Sequence, residues 1–511
     1  LALIRILQAG KILFSVRCLL RGLQEINFKW TRSDGPASGF GAGNRSMKKL
    51  LVVILCVLIL AAAAFVAGAR ITGGKAQEEW RKGIEAVSIP GAIEIKPLTY
   101  QRGWFSSTAT SALIFHDPKR TYTLTLDHHI HHGPLVLSAG GAPIPATALI
   151  DTSAFFSKEK EPQLFALLGD TPLVTARSRI NFDGSIQSHV VCPKRNVPFR
   201  DSKSAVDWKG AEGDVDVSSG YKRVTFSLTA PDLSVYDGIS VISAQQGSIN
   251  GSFTPSPSRL WLGEIHSDLK SFDIKLPMRD KSEEFHMKDM SLSLTAKEQD
   301  GQVVWFYTMR MGAASSGDEF VNQGLCEIEL GLNAEATGML LSALSSLNIG
   351  PDRKGDVDEK AIIKALDALD TLLKKEPRFD IKQFAFSSKE GKTTLKALFT
   401  LNQDKPFILG DWQTMLSNLR VDAEINTPVA LTNSALTAKF LNDLERLPAN
   451  TQGLGDEKSK ELMARNLASQ WLAKIEEKGL LKRQGEDYAA KITLENGVLS
   501  SNGVPVSEVV N

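Results

Sequence analysis

Cysteine is scarce in this chain, and its placement removes half of it from consideration. Of four cysteines in 511 residues, Cys18 and Cys56 lie near the N-terminus, which leaves Cys192 and Cys326 for the rest. Two cysteines do not make a disulfide framework; an oxidising compartment would permit one bridge, and the sequence does not decide the pairing. An excess of charge of either sign is also missing, with 59 Lys and Arg against 58 Asp and Glu and a formal net charge of +1. That balance excludes a nucleic-acid groove or a broadly basic membrane-surface domain. The G-x-S-x-G and H-E-x-x-H signatures are absent, and the carboxylates fall on alternating strand faces or solvated helix faces. No enzyme, cofactor or metal is expected on these grounds.

Long apolar runs are missing everywhere except one place. Leu50 to Ala69 is unbroken by charge and follows Met47, Lys48 and Lys49. About twenty residues at 1.5 Å rise span a bilayer core of roughly 30 Å, so this run is expected to cross a membrane. Lys48 and Lys49 favour a cytoplasmic N-terminus and a body on the far side, in the periplasm. Ala67 and Ala69 fit a cleavage site, but the run exceeds the usual signal-peptide core, which favours an uncleaved anchor over residues 47–70. Residues 1–46 precede a Met-Lys-Lys start of signal type and are expected to be upstream read-through or a disordered extension.

Beyond the anchor the pattern divides. Residues 71–325 alternate with period two, as in Val224, Phe226 and Leu228 or Leu292 and Leu294, and predict antiparallel strands with one wet face after a short polar helix or linker from Ile71. Residues 326–511 mix strands with helices. Ile362, Ile363, Leu366, Leu369, Leu372 and Leu373 recur at helical spacing as one apolar face, and Met463, Leu467, Trp471 and Ile475 do the same further on. The order of strand, helix, helix, hairpin occurs twice, with Asn333 and Asn426 at matching places, and predicts an internal repeat of about 90 residues. The fold class expected is α+β: a strand-rich body of antiparallel hairpins with helix pairs packed on them. Such a sheet either packs on itself or lines a groove, and exposed hairpin edges favour a homo-oligomer.

Two local clusters stand out. His128, His129, His131 and His132 are half of the chain's eight histidines, and in a strand they divide between two faces, which reads as a polar strand end rather than a zinc site. Tyr100, Arg102, Gly103, Trp104 and Phe105 form an aromatic turn in which Gly103 makes the bend and Tyr100 and Phe105 fill the core. The functional alternative for that turn is contact with lipid headgroups or a partner near the membrane.

The single N-terminal run, YQRGWFSS at Tyr100 to Ser107, HGP at His132, Gly133 and Pro134, DG at Asp183, DWKG at Asp207, and the closing NGVLSSNGVPV with Asn502 and Gly503 together resemble the DUF945, or YdgA-like, family of bacterial envelope proteins. The resemblance implies a Gram-negative inner-membrane protein, single-pass, with its body in the periplasm and no assigned activity. The expected function is a non-enzymatic envelope scaffold or partner-binding module. A lipid-handling protein with an apolar groove is the alternative, and an envelope hydrolase the second.

Overall fold

Period-two alternation folds here into one continuous antiparallel sheet. The computed structural model describes residues 64–84, 93–116, 121–136, 142–198, 205–237, 239–258, 260–277, 282–316, 319–346, 359–402, 411–446 and 457–506. Val66–Asn511 form one compact unit. Residues 1–46, most of the Leu50–Ala69 run and the turn expected at Gly350-Pro351 lie outside the described residues. Among the described residues no helix is long and apolar enough to cross a membrane.

The first helix, α1, covers residues 64–84, so of the short polar helix or linker expected from Ile71 the helix is what forms, continuous with the residues before it. Strands β1 (Ile93–Arg102), β2 (Ser106–His116), β3 (Thr121–His132) and β6 (Ala148–Phe156) follow, with a small β4 (Leu135–Val136) and β5 (Ile144–Pro145) ribbon between the last two. The short helix α2 (Pro162–Leu168) leads to β7 (Val174–Ile180), β8 (Ile186–Cys192), β9 (Arg195–Pro198), β10 (Ala205–Trp208) and β11 (Ala211–Val217). A meander of long strands comes next: β12 (Val224–Tyr236), β13 (Val241–Pro255), β14 (Trp261–Pro277), β15 (Ser282–Gln299), β16 (Gln302–Ser316) and β17 (Glu319–Asn333). Each pairs antiparallel with the next, and the residue 325/326 division falls inside β17, across which the sheet continues.

After β17 the order is α3 (Ala334–Ser346), α4 (Glu359–Leu373), β18 (Arg378–Ser388) and β19 (Gly391–Leu401). A short α5 (Trp412–Asn418) precedes β20 (Leu419–Pro428), α6 (Val429–Glu445), α7 (Glu457–Glu477), β21 (Lys482–Gln484), β22 (Asp487–Glu495), β23 (Val498–Ser501) and β24 (Val504–Pro505). Asn333 caps α3 by accepting from the Ala336 amide at 3.0 Å, whereas Asn426 lies within β20 and Pro428 opens α6. Because β17 and β20 run in opposite directions, the two helical hairpins leave from opposite edges of the sheet.

The helices are built differently from their expected apolar faces. In α4 the buried positions are Ala361, Ala365, Ala368 and Leu372, while Ile362, Ile363 and Leu366 are exposed. In α7 Ala464, Ala468 and Leu472 are buried, while Met463 and Trp471 are exposed. Small side chains let paired helices approach closely, so the bulky residues are turned out of the helix–helix contact. Across the long strands, a line of kinks runs through Gln246, Asp289 and Gln323, all at φ near +50°, with Lys270 and Gly312 opposite them. The left-handed Asp289 resets the alternation in β15, so the apolar positions on either side of it, Met287 and Met290, stand three apart.

Candidate functional site

Residues directly opposed in an antiparallel ladder share a face, so the register sorts the whole sheet into rows. One row crosses seventeen strands: Tyr100, Ala109, His128, Thr152, Ala176, Val190, Gly213, Leu228, Ile249, Ser267, Leu292, Met309, Cys326, Phe384, Leu395, Ile425 and Ala490. Apart from the His128 imidazole, none of them is ionisable near neutral pH except through the weakly acidic Cys326 thiol, which burial pushes up further. The next row on that face begins at Arg102 and Ser107 and continues through Ile130, Ile150, Ser178, Ser188, Val215, Phe226, Gly251, Ile265, Leu294, Tyr307, Ile328, Ile381, Ala397, Ala423 and Ile492. After Arg102 no charge interrupts it.

The opposite face inverts this composition. Its matching row reads Gln101, Thr108, His129, Asp151, Arg177, His189, Asp214, Ser227, Asn250, His266, Ser293, Thr308, Glu327 and Gln383. Arg177 and His189 bond Asp151 and Asp214 there at 2.7 and 2.9 Å. One face is wet and the other is a strip of apolar and small residues, roughly 75 Å long for seventeen strands at about 4.8 Å spacing.

The strip is covered at one end. Ala76, Trp80 and Ile84 of α1 pack on Ala109, Ile130, Ile150 and Ile180, which are buried. Gly68 lies against Pro134, and Gly73 against the His132 ring. The Thr72 hydroxyl donates to the Gly133 carbonyl at 2.7 Å, and a Cβ on Gly133 would collide with the Ala146 carbonyl. Further along the same rows the side chains lose this cover. Leu228, Ile249, Leu292 and Ile328 are half-buried, and Met309 is 41% and Phe384 38% exposed.

Under α1 the strip holds two serine–histidine pairs. Ser111 Oγ lies 2.8 Å from His128 Nε2, and His128 Nδ1 lies 2.9 Å from Thr152 Oγ1. Burial pushes the His128 imidazole down to about 4, so it is neutral. His132 Nε2 lies 2.8 Å from Ser107 Oγ; its Nδ1 faces the Trp104 carbonyl, which can only accept, so Nδ1 carries the proton. Burial lowers the His132 pKa as well. Neither imidazole is oriented by a carboxylate, and Ser107, Ser111, His128 and His132 are all buried, so these pairs tie β2, β3 and β6 to one another beneath α1, whose Trp80 and Gly73 pack on the two rings.

The other singled-out residues separate in space. His129 and His131 face outward, and among the described residues no group of three His, Cys, Asp or Glu stands within metal-binding reach. Cys192 and Cys326 are free thiols on β8 and β17. Tyr100 packs against Trp80, but Phe105 is exposed rather than filling the core, because the turn closed by Gly103 N–H on the Ser106 carbonyl carries it out. Arg102 donates to the Arg70 carbonyl, and Arg70 sits 4.9 Å over the Trp104 ring, so this turn clasps α1. Asn502, at φ 51°, donates to the Gly479 and Leu480 carbonyls and accepts from the Lys491 amide, with Gly503 completing the turn. Sequence reasoning missed the docking of α1, whose signal was Ala69, Thr72, Gly73, Ala76 and Trp80 at three- and four-residue spacing.

A protein of Haemophilus influenzae described as uncharacterised is 22% identical to this chain over 269 residues, covering 48% of this chain and 72% of its own length. Residues 47–509 match the profile of DUF945, described as a bacterial protein of unknown function. The chain belongs to the DUF945 family.

Proposed function

We propose that this chain is a non-enzymatic lipid carrier of the bacterial envelope, held at the inner membrane by Leu50–Ala69 with its sheet in the periplasm. The observation that carries the reading is the continuity of the uncharged strip: buried under α1 at one end, it continues across the sheet with its apolar side chains only partly buried and Met309 and Phe384 exposed. A monomer rarely leaves an apolar patch of more than a few hundred Å² in contact with water unless the patch meets something. Acyl chains suit a surface with no hydrogen-bonding register and no charge, and the wet opposite face keeps the loaded protein soluble. The strip starts at the helix that contains the end of the membrane-type run, so lipid leaving the bilayer would meet it first.

Native mass spectrometry with lipid extraction on the purified chain tests this. Stoichiometric phospholipid is the expected result. A ligand-free chain that also fails to take lipid from vesicles overturns the reading and returns the apolar strip to a scaffold role with a protein partner.

A further inference from the structure

A cavity of about 1360 Å³ lies where the α3/α4 hairpin meets the β13–β14 turn at one edge of the sheet. It is a groove open to solvent, with Trp261, Met339 and Leu341 on its walls each about half exposed. Its sheet side is formed by Trp261, Leu262 and Trp305, and its helix side by Met339 and Leu341. Trp305 is opposed to Ala296 and Leu330 in the ladder, in a row that runs on through Phe379 and Phe399 on the apolar face, so the cavity adjoins the strip. Met339 and Leu341 are half exposed although α3 and α4 pack together, because the helix contact uses alanines.

The wall also carries Glu335, Lys364 and Asp367. No ion pair among the described residues engages these three. Two carboxylates and one ammonium at the rim of an apolar cavity match an amphiphile that has both signs of charge in its headgroup and disfavour one that is purely anionic.

Resting on the lipid-carrier reading, we propose that this cavity holds a zwitterionic glycerophospholipid. Its phosphate lies toward Lys364, its ammonium toward Glu335 and Asp367, and its acyl chains lie between the two tryptophans and α3. The strip carries acyl chains of any lipid, and the hairpin cavity selects the headgroup.

The test uses the full chain with a benzophenone amino acid at Leu341 or, separately, at Met309 on the strip, exposed to vesicles containing radiolabelled phosphatidylethanolamine or phosphatidylglycerol. Both positions are exposed, so folding is not at risk. Crosslinking at both positions is expected, with phosphatidylethanolamine favoured roughly fivefold at 341 and no preference at 309. The double variant Glu335→Lys, Asp367→Lys is expected to reverse the preference at 341 alone. Crosslinking at 309 without 341 overturns the cavity assignment and leaves the carrier reading standing. Equal labelling of the two headgroups at 341, or no effect of the double variant, overturns the headgroup assignment. Absence of labelling at both positions overturns both readings.

Discussion

Gly73 of α1 and His132 of β3 are in contact without room for a methyl group between them: a Cβ on Gly73 would stand 2.6 Å from His132 Nδ1. The imidazole has no freedom to retreat, since it is buried and engaged by Ser107 and the Trp104 carbonyl. Gly73→Val is expected to push α1 off the strip and to cost about 1–3 kcal/mol, the usual range for overpacking. Thermal unfolding reads the loss. Gly83, in the same helix with nothing within 4 Å of its added Cβ, is the control: Gly83→Ala is expected to gain roughly 0.5–1 kcal/mol from helix propensity.

His128 makes stability depend on pH in a defined direction. Its folded pKa is lowered from 6.5 to about 4, so between those values the unfolded chain binds a proton that the folded chain does not. Stability from this site is therefore complete above about pH 6.5, falls as pH drops toward 4, and levels off below. The loss is on the order of 3 kcal/mol at 1.36 kcal/mol per unit. His132, also lowered by burial, acts in the same sense, while the exposed His286, raised by Asp273, acts weakly in the opposite sense. His128→Gln keeps partners for Ser111 and Thr152 and removes the titration. Its melting temperature relative to the parent chain is expected to improve as pH falls from 6.5 to 4; an unchanged difference would reject the assignment.

Alternation made the strands legible: Val224, Phe226 and Leu228 all lie in β12 with their apolar side chains on one face. Ladder register was not legible, because nothing local to Leu292 announces that it stands between Ser267 and Met309. The uncharged strip therefore emerges only when the strands are assembled. Helix faces misled for a physical reason. Ile362, Ile363 and Leu366 have the spacing of a core stripe, but the contact in the α3/α4 hairpin belongs to the alanines beside them. Hydrophobic periodicity identifies a helix without saying which of its adjacent stripes is buried when both are apolar. The histidine alternation, with His128 and His132 inward and His129 and His131 outward, followed from strand geometry alone.

Asn502 fastens the C-terminal turn to the end of α7, and its substitution separates conformational cost from hydrogen bonding. Its amide donates to the Gly479 and Leu480 carbonyls at 3.2 and 3.1 Å, and its side-chain oxygen accepts from Lys491 at 3.0 Å. Asn502→Ala loses these bonds and places a methyl-bearing residue at φ 51°, with an expected cost of about 2 kcal/mol. Asn502→Gly loses the same bonds but adopts that φ freely, so it should cost measurably less. Hydrogen exchange over residues 479–506 reports the local opening that both variants share.

Met309 and Phe306 allow the two faces of the sheet to be compared at matched exposure. Both lie in β16, at 41% and 43% exposure, three residues apart and so on opposite faces. Met309 stands in the uncharged row between Leu292 and Cys326, while Phe306 stands between Thr295 and Glu329. A carboxylate at either position is solvated in the free protein, so Met309→Glu should fold with stability near that of the parent, and Phe306→Glu at a cost of about 1 kcal/mol or less from the Glu329 carboxylate opposite it. Their effects on lipid should differ. An acyl chain laid along the strip would have to strip water from Glu at 309, at a cost of about 2–3 kcal/mol by analogy with charges placed in hydrocarbon, whereas Glu at 306 never meets it. Lipid recovered per mole of protein is expected to fall roughly tenfold or more for Met309→Glu and to stay unchanged for Phe306→Glu. An equal loss in both variants would trace lipid to general surface hydrophobicity instead of the strip, and no loss in either would remove the strip from lipid binding.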